Sequence, residues 1–380
     1  MISLSHHWLV AERGGEKVLQ SFSTLFPKSD IYTLVATRDR SVFGSWLSRH
    51  RIVTSPLQHF PNAAKRYKML LPLFPLSVAE LKVGADTTLI LSSDAAVIKG
   101  LGVPQGCIHV CYCHSPPRYL WSMQKTYLQQ SSGLGVLGRL VFKAVTPYVR
   151  WFDRRSAQRV DHFIANSHFV ATRIKHCYGR ESTVIYPPVS VDDFIYSEAK
   201  EDFYLIVSEL VPYKRIDLAV EAFNRNGKRL IIIGDGSERT ILQAKAGNNI
   251  EFLGRQPFSV LKEAYSKCRA FIFPGIEDFG ITPLEAQASG SPVIAFGEGG
   301  ALETVIAGKT GLFFDQQTSA GLHSAVESFE TCDFDPTACR QNAERFSEPR
   351  FREEIKELLI KVAPDALVSH VWQSSTDCDH

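Results

Sequence analysis

The chain has 380 residues, with 42 Lys or Arg against 40 Asp or Glu and a net charge of +2. That length holds more than one hydrophobic core, so two domains are expected, and the near-neutral balance excludes a general nucleic-acid binder. No run reaches the roughly 20 apolar residues of a spanning helix, and Ile2-Ser3-Leu4 lacks the basic and apolar regions of a signal peptide, so a cytoplasmic protein is expected. Eight cysteines are scattered without paired metal spacing and read as reduced thiols, neither disulfides nor zinc ligands. Cys111 and Cys113 fall on one expected strand and are assigned to its opposite faces.

A short opening strand leads to Glu12-Arg13-Gly14-Gly15-Glu16-Lys17, where two glycines precede a helix with apolar positions at Val18, Leu19, Phe22, Leu25 and Phe26. Glycines at such a junction let backbone N–H groups and the helix N-terminus face an anion. A tight turn explains them equally, and the third glycine of the dinucleotide fingerprint is missing. Strands are expected over 31–35, 87–92, 108–113, 162–166 and 183–186, alternating with helices. That alternation is the pattern of a mostly parallel sheet covered on both faces.

Within this region, 62–82 carries Lys65, Arg66 and Lys68, followed by Met69-Leu70-Leu71-Pro72-Leu73-Phe74-Pro75. Basic residues beside large apolar ones suit a membrane interface or a lipid-linked acceptor. The other reading makes the apolar residues core, and the two prolines forbid one long amphipathic helix. From Arg139 to Arg180, nine Lys or Arg stand against two Asp. This is either a basic face for anionic lipid or a phosphate-bearing acceptor, or a solvated helix face. His114 follows the strand over 108–113, at a carboxyl end where α/β sheets place ligands, although most single histidines are ordinary surface or core residues.

Pro187-Pro188 cannot continue a central strand, and the interdomain linker is placed within 190–202. A second alternating unit follows, with strands over 203–208, 229–234, 250–254, 270–273, 292–296 and 311–314. A final helix is expected at about 349–362, and the polar tail after Pro364 is expected to be poorly ordered.

The stretch from Pro274 to Gly290 organises the second unit. An apolar run ends at Phe273, Pro274-Gly275 breaks it, and Thr282 reads as an N-cap with Pro283 first and Glu285 third in the helix. Gly290 ends that helix. Glu277 then lies in the loop and Glu285 in the first helical turn, with Gly280 between them letting a bound group approach the backbone. Two carboxylates eight positions apart would face one cleft. Structural explanations stand beside this one, since Thr-x-x-Glu is also a capping box and Glu277 also fits a solvated loop.

Glu277-Asp278-Phe279-Gly280-Ile281, followed by Pro283, Glu285 and Ala286, resembles the signature of retaining nucleotide-sugar glycosyltransferases of family 4, which have the GT-B fold. The resemblance extends over nearly the whole chain. Cys113-His114-Ser115-Pro116-Pro117-Arg118-Tyr119-Leu120-Trp121 is similar to a run in bacterial members often assigned to mannosyl transfer, and Ser208 to Arg215 to the family's diphosphate-binding segment. It implies an α/β fold of two doubly wound Rossmann-like domains facing each other across a cleft. The acceptor-side domain would span 1–195, the nucleotide-sugar domain 200–348, and a helix over 349–363 would pack back on the first domain, leaving 364–380 as the tail.

By the same resemblance, His114 hydrogen-bonds the donor hexose, Glu277 touches it, and Lys214 stabilises the leaving diphosphate. Donor binding is assigned to Gly14, Gly15, Arg215, Gly234, Arg255, Asp278, Phe279, Gly280, Ile281 and Glu285, the last accepting from ribose hydroxyls. Glu209 departs from the pattern, because most members carry arginine there, and a carboxylate beside a phosphate repels it. No Asp-x-Asp pair follows a strand, so neither a metal nor a cofactor is expected. The activity implied is transfer of a hexose, mannose from GDP-mannose, to a glycan or polyprenyl-linked acceptor in cell-surface polysaccharide assembly, at the cytoplasmic face of the membrane. A UDP-hexose donor, a degenerate sugar-nucleotide-binding protein and an epimerase remain as alternatives.

Overall fold

Runs such as Leu89–Asp94 and Leu230–Ile233 are buried along their whole length, as strands covered on both faces must be. The computed structural model describes residues 1–124 and 135–368, and in it thirteen strands form two sheets. The first holds β1 (Ile2–His6), β2 (Ile31–Thr33), β3 (Ile52–Thr54), β4 (Leu89–Asp94), β5 (Ile108–Cys113), β6 (His162–Ala165) and β7 (Ser182–Val184), in the order 3-2-1-4-5-6-7. The second holds β8 (Tyr204–Val207), β9 (Leu230–Ile233), β10 (Ile250–Gly254), β11 (Ala270–Phe273), β12 (Val293–Phe296) and β13 (Gly311–Phe314), in the order 10-9-8-11-12-13. Every pairing is parallel.

Strand order reverses between β1 and β4 in one sheet and between β8 and β11 in the other. In doubly wound sheets ligands bind outside the carboxyl ends of the strands at such a switch point. The chain divides into two compact units, 1–188 together with the stretch from 349, and 189–348.

In the first unit, the helix Gly14–Leu25 lays Val18, Leu19 and Phe22 against Leu4, Leu91 and Tyr112. The helix Glu348–Val362 closes the same core with Phe351, Ile355 and Leu359, four residues apart and therefore on one face. The chain does not stop there. Residues Pro364–Leu367 form a further helical turn whose Leu367 is buried, which corrects the expected start of the tail; 369–380 lie outside the described residues.

The region 62–82 folds as three short helical pieces, Ala63–Arg66, Tyr67–Leu73 and Phe74–Ala79. Leu71 and Phe74 are core, whereas Met69 and Leu76 are 67% and 62% exposed near Lys65, Arg66 and Lys68. The core reading of this stretch thus holds for Leu71 and Phe74. Cys111 and Cys113 lie in one apolar cluster, on one face of β5 as a spacing of two requires, not on opposite faces. Burial pushes the Cys111 thiol up to about 12.

Candidate active site

In the second unit, β11 runs into Pro274 and Gly275, and the loop is pinned where Gln317 donates to the Pro274 carbonyl (3.0 Å) and the Gly300 N–H to that of Glu277 (2.9 Å). The following helix begins at Ile281, with Gly280 as its N-cap at φ +92°. This corrects the expected start at Pro283. Only glycine takes that backbone conformation without strain, and it turns the chain a residue pair earlier than the Thr282 cap would. Glu285 therefore lies in the second turn and closes no capping box with Thr282; its Oε2 accepts from the buried Tyr265 hydroxyl at 2.8 Å.

Glu277 is paired directly with the Lys214 ammonium, both side chains being largely but not fully covered. Lys214 arrives on the turn Pro212–Lys214 that follows β8, so the two strands flanking the switch point deliver the pair. Glu209 on the same loop is exposed. Arg215 adopts a left-handed backbone (φ 56°), and its guanidinium meets Asp217 at 3.1 Å.

Gly234 follows β9, where its N–H donates to the Gly254 carbonyl at 2.8 Å, and Arg255 is exposed just after β10. Asp278 is buried. Phe279 is only 3% exposed and packs edge-on against Phe346 at 5.7 Å, so it serves the core of this unit. Ile281 is half-buried.

In the first unit, three histidines meet at the ends of β1 and β5. The ring centroids of His6 and His7 are 4.0 Å apart, and His114 lies 6.5 Å from His6 and 6.2 Å from His7. Ser93, near the end of β4, sits among them, its Oγ 2.9 Å from Nδ1 of His6 and 2.8 Å from Nε2 of His114. The helix Gly14–Leu25 starts at Gly14, so both glycines belong to its first turn and do not precede it. A Cβ on Gly15 would lie 3.4 Å from the His6 ring and 3.6 Å from that of His114. Glu16 in the same turn accepts from the Arg13 N–H at 3.0 Å and lies 3.4 Å from Nε2 of His6.

Burial lowers the His114 imidazole well below its ordinary range, and the neighbouring His7 and His6 add to this. His7 is lowered to about 3, again chiefly by burial. Both rings are therefore neutral near pH 7. Burial opposes the charge of Glu16, but its hydrogen bond with His6 outweighs this and holds the carboxyl below its ordinary value.

Behind Ser93 lies a second buried group. The Lys99 ammonium is 3.1 Å from Asp94 and 2.5 Å from Asp153, and Asp153 also accepts from Trp121 (2.8 Å) and Tyr178 (2.9 Å). Burial opposes the charge, but Asp153 and Asp94 outweigh it and hold Lys99 protonated. One of the two aspartates read as balancing a basic face is thus internal, while Arg139, Lys143, Arg154 and Arg155 are exposed.

His114, Lys214, Glu277 and Glu285 come from sequence reasoning. His6, His7, Glu16 and Ser93 do not; their only linear signal is the placement of His6-His7 and Ser93-Asp94 at strand ends. Among the described residues no group of three or more His, Cys, Asp or Glu is arranged to hold a metal ion.

These sheets are similar to those of Anabaena HepE solved in complex with UDP-glucose, with a TM-score of 0.67, 18% identity, and coverage of 95% of this chain and 100% of that one. The fold is therefore GT-B. A model of Glycosyltransferase Family 4 matches residues 13–193 and one of Glycosyl transferases group 1 matches 192–346, and the chain belongs to this family.

Among curated relatives, an O-antigen chain mannosyltransferase of Salmonella typhimurium is 32% identical over 163 residues, 39% of this chain and 45% of that protein. A GDP-mannose-dependent alpha-(1-6)-phosphatidylinositol monomannoside mannosyltransferase of Mycobacterium tuberculosis is 28% identical over 221 residues, 50% of this chain and 57% of that one. The chain thus spans about half the length of the curated relatives it matches.

Proposed function

We propose that the protein is a retaining glycosyltransferase that moves mannose from GDP-mannose to a glycan or lipid-linked acceptor. The observation that carries this reading is the meeting of Lys214 with Glu277 at the β8/β11 switch point, with Glu285 one helical turn further on. A nucleoside diphosphate gains charge as its bond to the sugar breaks, and a fixed ammonium stabilises that charge in the transition state. Lys214 supplies it, sharing its protons between Glu277 and the phosphate. Glu277 and His114 accept hexose hydroxyls, and Glu285 accepts those of the ribose, oriented by Tyr265.

The acceptor hydroxyl attacks on the leaving-group face and the departing phosphate takes its proton, so the sugar keeps its configuration without a protein nucleophile. Mannose and guanosine are favoured by the relatives named for mannosyl transfer and GDP-mannose. The UDP-glucose in HepE keeps a UDP-hexose donor as the second reading.

A lipid-linked acceptor fits the surface of the first unit. Met69, Leu76, Leu140 and Trp151 are each more than half exposed, in segments that also carry the exposed Lys65, Arg66, Lys68, Arg139, Lys143, Arg154 and Arg155. Exposed apolar side chains in segments that also carry cations suit peripheral contact with anionic lipid. No helix among the described residues is long and apolar enough to cross a membrane.

Thermal unfolding with GDP, UDP, ADP and their hexose conjugates, with chelator present, tests the donor. Stabilisation by GDP and GDP-mannose, lost in Glu285→Ala, is expected. Stabilisation by UDP-sugars alone would retire mannosyl transfer, and no response to any nucleotide would overturn donor binding altogether.

A further inference from the structure

The stretch expected as a linker holds a half-buried lysine, Lys200, whose partners are all neutral. Its Nζ donates to the carbonyls of Ser266 (2.9 Å) and Ser289 (3.1 Å) and to the Ser291 hydroxyl (2.9 Å), and all three serines are buried. Ser266 belongs to the last turn of the helix Phe258–Lys267, and Ser289 caps the C-terminal end of Ile281–Ala288. The Ser291 hydroxyl passes its own hydrogen to the Tyr265 carbonyl at 2.6 Å.

Helix C-termini favour a cation, yet burial lowers the Lys200 ammonium to about 8. The charge therefore costs stability at this place, and an apolar side chain would avoid that cost. What only an ammonium supplies is three directed hydrogens.

We propose that Lys200 is a positioning residue for the nucleotide site, its ammonium tying the C-terminal ends of two helices together so that Tyr265 on one holds the Glu285 carboxylate on the other. Tyr265 donates to Oε2 of Glu285 at 2.8 Å, and its ring packs against Phe194 and Phe271, with centroids 5.8 and 5.7 Å away. Tyr265 directly precedes Ser266, and Glu285 stands about one helical turn before Ser289. A shift at the clamp is therefore a shift of both partners. That Glu285 meets ribose hydroxyls rests on the glycosyltransferase reading; the clamp on Tyr265 does not.

A neutral amine brings two hydrogens and a lone pair to the same three oxygens. The lone pair then faces a carbonyl or draws the Ser291 hydrogen away from Tyr265, so the ring of bonds opens as pH rises through about 8. The titratable groups facing the ammonium are the Cys268 and Cys339 thiols, pushed up to about 11 and about 12 by burial and uncharged at that pH. Charges on the neighbouring elements are engaged elsewhere. Lys267 meets Glu263 (2.7 Å) and Glu201 (3.4 Å), and Glu198 accepts from the Tyr196 hydroxyl (3.3 Å). Asp335 accepts from the Thr337 N–H (2.8 Å), and Arg340 meets Asp192 (3.1 Å) and the Ala288 carbonyl (2.9 Å).

The first arm of the test is NMR of the full chain with 13C-labelled tyrosine, the Tyr265 signal being assigned with Tyr265→Phe. Burial holds the Tyr265 hydroxyl well above its ordinary range, so the ring does not itself titrate here. Its signal should shift with a midpoint near pH 8 and lose that shift in Lys200→Met, whose folding is verified by urea unfolding. A signal that stays constant from about pH 7 to about pH 9, or the same titration in Lys200→Met, would overturn the proposal.

Calorimetry with GDP is the second arm. Lys200→Met should lose about fivefold in affinity near pH 7, the worth of one hydrogen bond, and the wild-type protein should fall to the variant's affinity as pH rises through about 8. Full affinity in Lys200→Met, or a wild-type profile parallel to the variant's, would overturn the nucleotide role. If Glu285→Ala keeps full affinity, or no nucleotide binds the wild-type protein, the ribose reading fails and the nucleotide role with it, while the Tyr265 signal still decides the clamp.

Discussion

Lys214 already holds Glu277, and the residue that would share its work on a diphosphate is the exposed carboxylate Glu209. Reversing that charge near a phosphate changes the interaction by about 1 kcal/mol per unit charge at contact distance in water. Glu209→Arg should therefore tighten GDP binding by about tenfold or more and steepen its salt dependence. Calorimetry at two ionic strengths checks this, and unchanged affinity would mean that the phosphates lie away from residue 209.

Lys214, Glu277 and Glu285 were legible in the sequence because each stands inside a contiguous motif. His6, Glu16 and Ser93 were not, because Ser93 is 87 positions from His6 and none is unusual alone. Their chemistry exists only once β1 and β4 lie side by side. Phe279 was legible as a motif residue, but the packing of its ring against Phe346, 67 positions away, was not.

At the scale of elements, the helix Ile281–Ala288 positions Glu285, and buried amides position the helix. Gln287 donates to the carbonyls of Pro283 (3.1 Å) and Thr304 (2.9 Å), and Asn342 donates to Gln287 (2.7 Å) and Thr304 (2.9 Å). Asn342→Ala would strand the Gln287 oxygen in a buried place, costing about 1–3 kcal/mol. Urea unfolding should register that loss together with weaker nucleotide binding through Glu285. A loss of stability with full binding would mean that the helix keeps its place without this bond.

Strand limits such as Ile250–Gly254 and Ala270–Phe273 agree with the sequence reading because apolar runs there end at glycine or proline. The three-residue β3 escaped notice, being too short to show a period. The helix start was misplaced because Thr282-Pro283 satisfies the local capping rules, while the actual turn depends on a left-handed Gly280 that those rules do not reveal.

At the scale of the whole molecule, both sheets reverse their strand order where the candidate residues gather, and that order rests on long-range pairing invisible in a single chain. The same pairing buries histidines. His109 on β5 is held neutral, lowered to about 4 by burial, and His7 is lowered to about 3. Unfolding restores the ordinary value of 6.5 for each. Between these values the unfolded chain binds protons that the folded chain refuses, so stability is lost as pH falls below 6.5 and regained as it rises. Each histidine contributes a slope of about 1.4 kcal/mol per pH unit in that window.

His109→Gln should flatten the fall in urea midpoint between pH 6.5 and about 4; parallel curves for variant and wild type would contradict the buried neutral state.

Transfer with retention from a sugar nucleotide is tested by real-time proton NMR of the protein with GDP-mannose, then UDP-glucose. Slow release of GDP from GDP-mannose is expected even without acceptor, the freed sugar appearing first in the donor's own anomeric configuration, with much slower release in Lys214→Ala. An inverted anomer, an epimerised sugar still bound to its nucleotide, or no consumption of either donor would contradict it.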